Sequence, residues 1–299
     1  MAKRKYTLRD SPFFRLRSKS KLARLLLVSP KKLKRLSNLE DGYIKFQKPK
    51  KNGEMRDISA PIAPLKSTQA RIAELLSRIA PPDYLFAPVE GRSYVDNAAR
   101  HIGARSVRLL DIEDFFPNCT IYKVIWFFHS RMECSTDVAV MLARIVTSYG
   151  VLPQGSPCSP ILAYFTYIDM WEEIDAQVAA AGCTLSVYAD DLTVSGDTVP
   201  EALIWLLKQS LHRHGHRYAP HKERARRDRP SEVTGVILTR DGITAPNRQR
   251  QKIHAVRDVL RNTKSAEQTK RLEAQLSGRL AQLNQIQAGN VGSPKRKSD

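Results

Sequence analysis

Hydrophobic positions along this chain repeat with two different periods, and the switches between them mark out its elements. Tyr43-Ile44-Lys45-Phe46-Gln47 alternates as a strand, Lys50-Lys51-Asn52-Gly53-Glu54 supplies turn residues, and Met55-Arg56-Asp57-Ile58 resumes the strand. Pro64-Leu65-Lys66 opens a helix with Ile72, Leu75, Leu76 and Ile79 on its apolar side, closed by Pro81-Pro82. Val107 to Ile112 reads as an apolar strand carrying Asp111 near its end. An unpaired buried charge is costly, so Asp111 belongs at a sheet edge or opposite a cation. Val138, Met141, Leu142, Ile145, Val146 and Tyr149 form a helical stripe, expected in the core.

Gly150 to Pro160 is a loop with three prolines that leads into an apolar helix from Ile161 to Ala181, stopped by Gly182. Leu185 to Ser195 holds two β-prone runs around Asp190-Asp191, which predicts a hairpin with the acidic pair at its turn. Leu203, Leu206, Leu207 and Leu211 make a further core helix, and Val233 to Thr244 a second hairpin with an Asp-Gly turn. The segment 245–287 carries two leucine-rich stripes on basic helices. The expected division is a basic arm over 1–35, one α+β unit over 36–239, a helical pair over 240–289 and a polar, disordered tail over 290–299.

Charge narrows the possible partners. The chain has 299 residues, 42% of them hydrophobic, enough for a real core. Its 49 Lys and Arg against 30 Asp and Glu leave +19, which points to a polyanion. No apolar run is long enough to span a membrane, so nucleic acid is favoured over a lipid surface. Residues 1–35 hold thirteen Lys and Arg and one acid, Asp10, and read as a solvated or phosphate-contacting arm. His212, His214 and His216 cross a helix end without acidic or cysteine partners and read as exposed residues facing a polyanion. Four scattered cysteines without a C-x-x-C pair fit reduced thiols and a cytoplasmic location. Asn97 and His101, four apart, would share a helix face as a structural pair.

Two adjacent carboxylates on an apolar hairpin repel each other unless a cation lies between them, and carboxylates suit Mg²⁺ or Mn²⁺. The string Tyr188-Ala189-Asp190-Asp191 resembles the catalytic box of reverse transcriptases. Leu109-Leu110-Asp111-Ile112 resembles the family's first catalytic motif, and Leu152-Pro153-Gln154-Gly155-Ser156-Pro157 its nucleotide-contacting loop. Lys222 and Val233-Thr234-Gly235 resemble the later motifs, so the likeness runs in family order from Tyr43 to Gln287. Asn97-Ala98-Ala99-Arg100-His101 fits the N-A-x-x-H element, and Val233-Thr234-Gly235 the V-T-G element, of bacterial retron reverse transcriptases. Ser156 and Cys158 stand where small residues, often Ala and Thr, are usual.

The resemblance implies a right-hand polymerase fold of fingers, palm and thumb. It implies that Asp111, Asp190 and Asp191, with the Ile112 backbone, hold two Mg²⁺ ions about 4 Å apart. Asp111 and Asp190 would be the principal ligands. Arg56 and Lys222, with Lys50 or Lys51, would neutralise a deoxynucleoside triphosphate. Gln154 would brace the nucleotide, and Phe116 would exclude a ribose 2′-hydroxyl. Asn97, His101, Val233, Thr234 and Gly235 would serve RNA recognition. A retron enzyme copies part of a cognate structured non-coding RNA into branched msDNA, primed from a guanosine 2′-hydroxyl, and works with an effector protein in anti-phage defence. Template RNA removal would fall to a separate nuclease. Two alternatives remain: another stand-alone bacterial reverse transcriptase (intron-derived, diversity-generating or abortive-infection type), or a nucleic-acid-binding scaffold restraining an effector. Tyr188 and Phe116 disfavour an RNA-dependent RNA polymerase.

Overall fold

The computed structural model describes residues 5–49, 53–263 and 265–290. The tip lysines Lys50 and Lys51 lie outside them. Two helices come first, α1 (Lys19–Leu25) and α2 (Pro30–Ser37). Strands β1 (Tyr43–Pro49) and β2 (Met55–Pro61) form an antiparallel ribbon, followed by α3 (Ala63–Leu76), β3 (Leu85–Ala87) and α4 (Tyr94–Ala99). Then come β4 (Ser106–Glu113), α5 (Phe115–Asn118), α6 (Ile121–Trp126), α7 (Thr136–Val146), α8 (Ser159–Phe165) and α9 (Ile168–Ala180). The predicted acidic hairpin is β5 (Thr184–Tyr188) with β6 (Asp191–Gly196), after which α10 (Glu201–Arg213) leads to β7 (Arg217–Tyr218) and β8 (Arg224–Arg227). Three short strands, β9 (Ser231–Val233), β10 (Val236–Leu238) and β11 (Ile243–Thr244), make a separate sheet. Helices α11 (Asn247–Asn262) and α12 (Ala266–Ala288) pair at the end.

The central sheet runs β3-β5-β6-β4, and β7 and β8 both pair with β4. Its two faces bury different partners. Leu110 and Ile112 enter the main core with α9 and α10, whereas Val107 joins a smaller core made by Val95, Ala98, Val233, Val236, Ile243 and Ile286. Alternation along one strand therefore places the helices behind the sheet and β9–β11 in front of it. Asn290 ties the end of α12 to β11, because its side chain both donates to the Ile243 carbonyl and accepts from the Ile243 amide, at 2.8 and 2.7 Å. A boundary at 240 would separate β10 from β11, and a tail starting at 290 would lose this clasp. Among the described residues no helix is long and apolar enough to cross a membrane.

Several expectations change with the tertiary structure. The basic arm folds into the body: Phe13, Leu22, Leu26, Leu33 and Leu36 are buried in the main core. The Ser29-Pro30 interruption is a helix junction, where Ser29 accepts from the Lys32 amide and Pro30 occupies the first turn of α2. The helix expected over 161–181 is two helices, parted at Thr166-Tyr167, where the Tyr167 hydroxyl donates to the Asn118 carbonyl at 2.7 Å. Tyr149 lies beyond α7 and is 77% exposed, with the Lys45 ammonium 3.7 Å from its ring centre. His216 is not a surface residue. It is buried against Phe115 and Tyr167, and that burial lowers its pKa to about 4. Because Phe13 is fully buried, Phe13→Ala should cost about 3–5 kcal/mol in urea unfolding. An arm lying free in solvent would give no change.

Candidate active site

The site is built on the register of β4 against β6. Asp111 lies directly opposite Asp191 in that ladder, so the two side chains leave the sheet on the same face. Tyr188 pairs with Asp191, leaving Ala189-Asp190 as a two-residue turn with Ala189 at φ +58°. The acidic pair is thus split: Asp190 caps the turn and Asp191 opens the strand. The Ile112 amide donates to the Asp190 carbonyl at 3.0 Å, which ties the turn to β4 beside Asp111.

Electrostatics follows from that proximity. Burial, then the charges of Asp190 and Asp111, push the Asp191 carboxyl up to about 7. Asp190 is raised as well, first by burial, with Lys222 and Arg56 opposing the rise. Lys222 follows β7 on a short helical turn and donates from Nζ to Asp111 Oδ1 at 2.8 Å, which holds its ammonium above the ordinary lysine range. No group of three His, Cys, Asp or Glu side chains is arranged as an ion cage among the described residues. The donor set nonetheless fits a hard divalent cation: three carboxylates share one partly buried face, and burial together with their mutual repulsion raises Asp191 and Asp190, a cost that a bound cation would relieve.

Strand β2 brings Arg56 to this face, within electrostatic reach of Asp190. Directly across the ribbon stands Lys48, a residue the sequence reading passed over in favour of the tip lysines. Two cations paired across strands repel each other, so Lys48 and Arg56 form a site poised for an anion. Only the cross-strand register reveals this.

The loop carrying Gln154 docks on the same ribbon: the Ser59 amide donates to the Gln154 carbonyl at 2.7 Å. Gly155, at φ +123°, has no room for a side chain, since a Cβ would stand 2.9 Å from Ile58 and 3.0 Å from the Ser59 carbonyl oxygen. Ser156 donates to Gln69, which in turn donates to Tyr43 and to the Ile145 carbonyl. This buried chain of bonds fixes the loop and explains a serine at that position. Gln154 Oε1 is buried without a hydrogen-bond partner, an acceptor waiting for a donor. Phe116 sits one turn after β4, partly buried, with its ring against Phe115.

The residues expected to recognise RNA are placed differently. Asn97, His101 and Val233 are buried and offer a nucleic acid no surface. Helix α4 ends at Ala99, so His101 lies beyond it rather than on a shared face with Asn97. His101 spans the acidic hairpin, with Nδ1 2.6 Å from Ser195 Oγ on β6 and Nε2 2.7 Å from Ser186 Oγ on β5. Burial lowers its pKa to about 3, and the neutral ring donates with one nitrogen and accepts with the other. Thr234 and Gly235, at φ +46° and +86°, form the two-residue turn between β9 and β10. Thr234 donates to the Tyr94 carbonyl at 2.9 Å, and Asn97 Nδ2 lies 3.4 Å from Thr234 Oγ1. The two short motifs meet as one joint, which clamps the acidic hairpin at one end and holds the β9–β10 turn at the other.

The reverse transcriptase (RNA-dependent DNA polymerase) family model matches residues 48–238. The chain belongs to that family. It is 30% identical over 269 residues to the retron Mx65 reverse transcriptase of Myxococcus xanthus, covering 82% of this chain and 61% of that protein. It is 34% identical over 148 residues to the retron Se72 reverse transcriptase of Salmonella heidelberg, covering 49% and 39%. With the retron Ec86 reverse transcriptase of Escherichia coli it shares 31% over 150 residues, covering 50% and 47%. The chain thus spans roughly 40 to 60% of the length of these curated relatives. Reverse transcriptases as a family use divalent metal ions.

The burial of His101 sets a pH dependence. The unfolded chain takes up this proton near pH 6.5 and the folded protein only near pH 3. Between those values the unfolded state binds more protons, so stability falls as pH falls through the window. In His101→Gln the dependence of the urea midpoint on pH should flatten there, whatever the variant's stability at neutral pH. An unchanged slope would assign acid sensitivity elsewhere.

Proposed function

We propose that this chain is an RNA-directed DNA polymerase of the retron type, copying part of a cognate structured non-coding RNA into branched msDNA from a guanosine 2′-hydroxyl. The observation that carries the reading is the register of Asp111 against Asp191 with Asp190 on the adjoining turn. The family match, and the retron enzymes among the relatives, support it.

Asp111, Asp190 and Asp191, with the Ile112 carbonyl, would hold two divalent ions, Mg²⁺ or Mn²⁺. Bound there, such ions activate the attacking hydroxyl and neutralise the departing pyrophosphate. The remaining tasks fall to the chain's own side chains. Arg56 and Lys48 pair with the triphosphate, which relieves their mutual repulsion. Lys222, kept protonated by Asp111, adds a third positive charge beside the reacting phosphate. The unpartnered Gln154 oxygen meets a donor of the incoming nucleotide. Phe116 occupies the space a ribose 2′-hydroxyl would need. His101 and Asn97 act at a distance, by holding the hairpin and the β9–β10 turn in fixed relation. The product RNA–DNA hybrid and an effector protein encoded nearby would be its partners in anti-phage defence.

Expression with the flanking non-coding sequence should yield branched small DNA in the wild type and none in the Asp190→Asn, Asp191→Asn double variant. Small DNA of the same size in both would sink the mechanism. In primer extension, Phe116→Ala should raise ribonucleotide incorporation by on the order of tenfold, the equivalent of losing about 1.4 kcal/mol of steric discrimination. Unchanged sugar selectivity would remove Phe116 from the gate.

A further inference from the structure

Strand β8 lies at the edge of the central sheet, paired to β4 along one side. Its register decides where its arginines point. Arg224 stands opposite Leu109 and Arg226 opposite Val107, and both partners share the parity of Asp111. Arg224 and Arg226 therefore rise from the catalytic face, whereas Ala225 and Arg227 belong to the back. The cations of the two faces differ in their company. On the back, Arg108 is paired with Glu201 and Glu223, Lys208 with Glu223 at 2.7 Å, and Arg227 with Asp228 at 3.9 Å. On the front, neither Arg224 nor Arg226 has an ion-pair partner among the described residues, and both are exposed.

Charge on an edge strand discourages edge-to-edge association, and that alone would account for basic residues on β8. It does not account for each back-face cation lying within 4 Å of a carboxylate while Arg224 and Arg226 have none among the described residues. The row starts at Lys222, which already touches Asp111, and continues along the sheet. Same-face residues of a strand stand about 6.7 Å apart, comparable to neighbouring phosphates of an extended nucleic-acid strand. Val107 precedes Asp111 by four residues, so Arg226 lies roughly 13 Å along the strand from the carboxylates, beyond the reach of a triphosphate held there. A longer polyanion fits the row.

We infer that Arg224 and Arg226 form a track for the phosphodiester backbone of a single RNA strand leaving the catalytic face along the sheet edge. The inference rests on the nucleic-acid reading above but does not need polymerisation for its test. It would let the enzyme grip the unpaired part of a folded RNA while a separate duplex end occupies the carboxylates.

The test compares the full chain with Arg224→Gln, Arg226→Gln and with a charge-matched control, Arg131→Gln, Arg213→Gln, whose arginines are surface residues paired with Glu172 and Glu173. Binding of fluorescein-labelled oligouridine and of a short blunt RNA–DNA hybrid is measured by anisotropy across a salt series. Loss of two single-strand contacts should lower the slope of log K against log[salt] for oligouridine by about 1.4, with a smaller change for the hybrid. The control should keep its slope, and Arg224→Lys, Arg226→Lys should recover most of the loss. An equal drop in the control would reduce the effect to net charge and overturn the track. So would an equal drop on both probes, or an oligouridine slope unchanged from that of the wild type. Primer extension on the short hybrid runs in parallel. A wild type that binds but does not extend would contradict the polymerase reading and leave the binding comparison intact.

Discussion

Three carboxylates held together in a partly buried place are the constraint on which this molecule depends. Like charges at that distance oppose folding, and the sheet that carries them must overcome the opposition. It does so through the β4–β6 ladder, the β5–β6 turn and the bond from the Ile112 amide to the Asp190 carbonyl. Positive charge then gathers around the acids from separate parts of the chain. Lys222 arrives after β7, Arg56 on the ribbon, and Lys48 across from Arg56. Each cation is useful only because the acids are there, and the acids are tolerable in part because the cations are.

A second constraint is mechanical. One short element, Tyr94 to His101, reaches both the acidic hairpin and the β9–β10 turn. His101 bridges Ser186 and Ser195 beneath the acidic turn, while Asn97 and the Tyr94 carbonyl meet Thr234 at the β9–β10 turn. Because His101 is neutral and flanked by rotatable hydroxyls, the bridge needs no counter-charge. A threonine at φ +46° is an uncomfortable choice for a turn, and its hydroxyl makes up for that by its bonds to α4. Asn97, His101 and Thr234 thus work together as an internal joint.

Much of the fold was legible in the chain. The β1–β2 ribbon, α3, the acidic hairpin, α10 and the paired terminal helices follow from period and turn chemistry, which are local properties. The three carboxylates were also legible, through strings whose order resembles that of a family. Other features were not. The basic arm reads as solvated because its charges outnumber its apolar residues, yet Phe13, Leu22 and Leu33 are spaced to insert into a core made mostly by distant segments. His216 looked like one of three alternating surface histidines, and only the approach of Phe115 and Tyr167 buries it.

By itself the sequence determined which residue types were present and in what local period. That was enough for the α+β character, the carboxylates, the glycine of the Gln154 loop and the excess of positive charge. Tertiary structure alone decided which residues became neighbours. Asp111 faces Asp191, Lys48 faces Arg56, and Arg224 shares a side with the acids while Arg227 does not, because strand register and parity are set by pairing between segments remote in sequence. A shift of one residue in any of these ladders would keep every local pattern and dissolve the site.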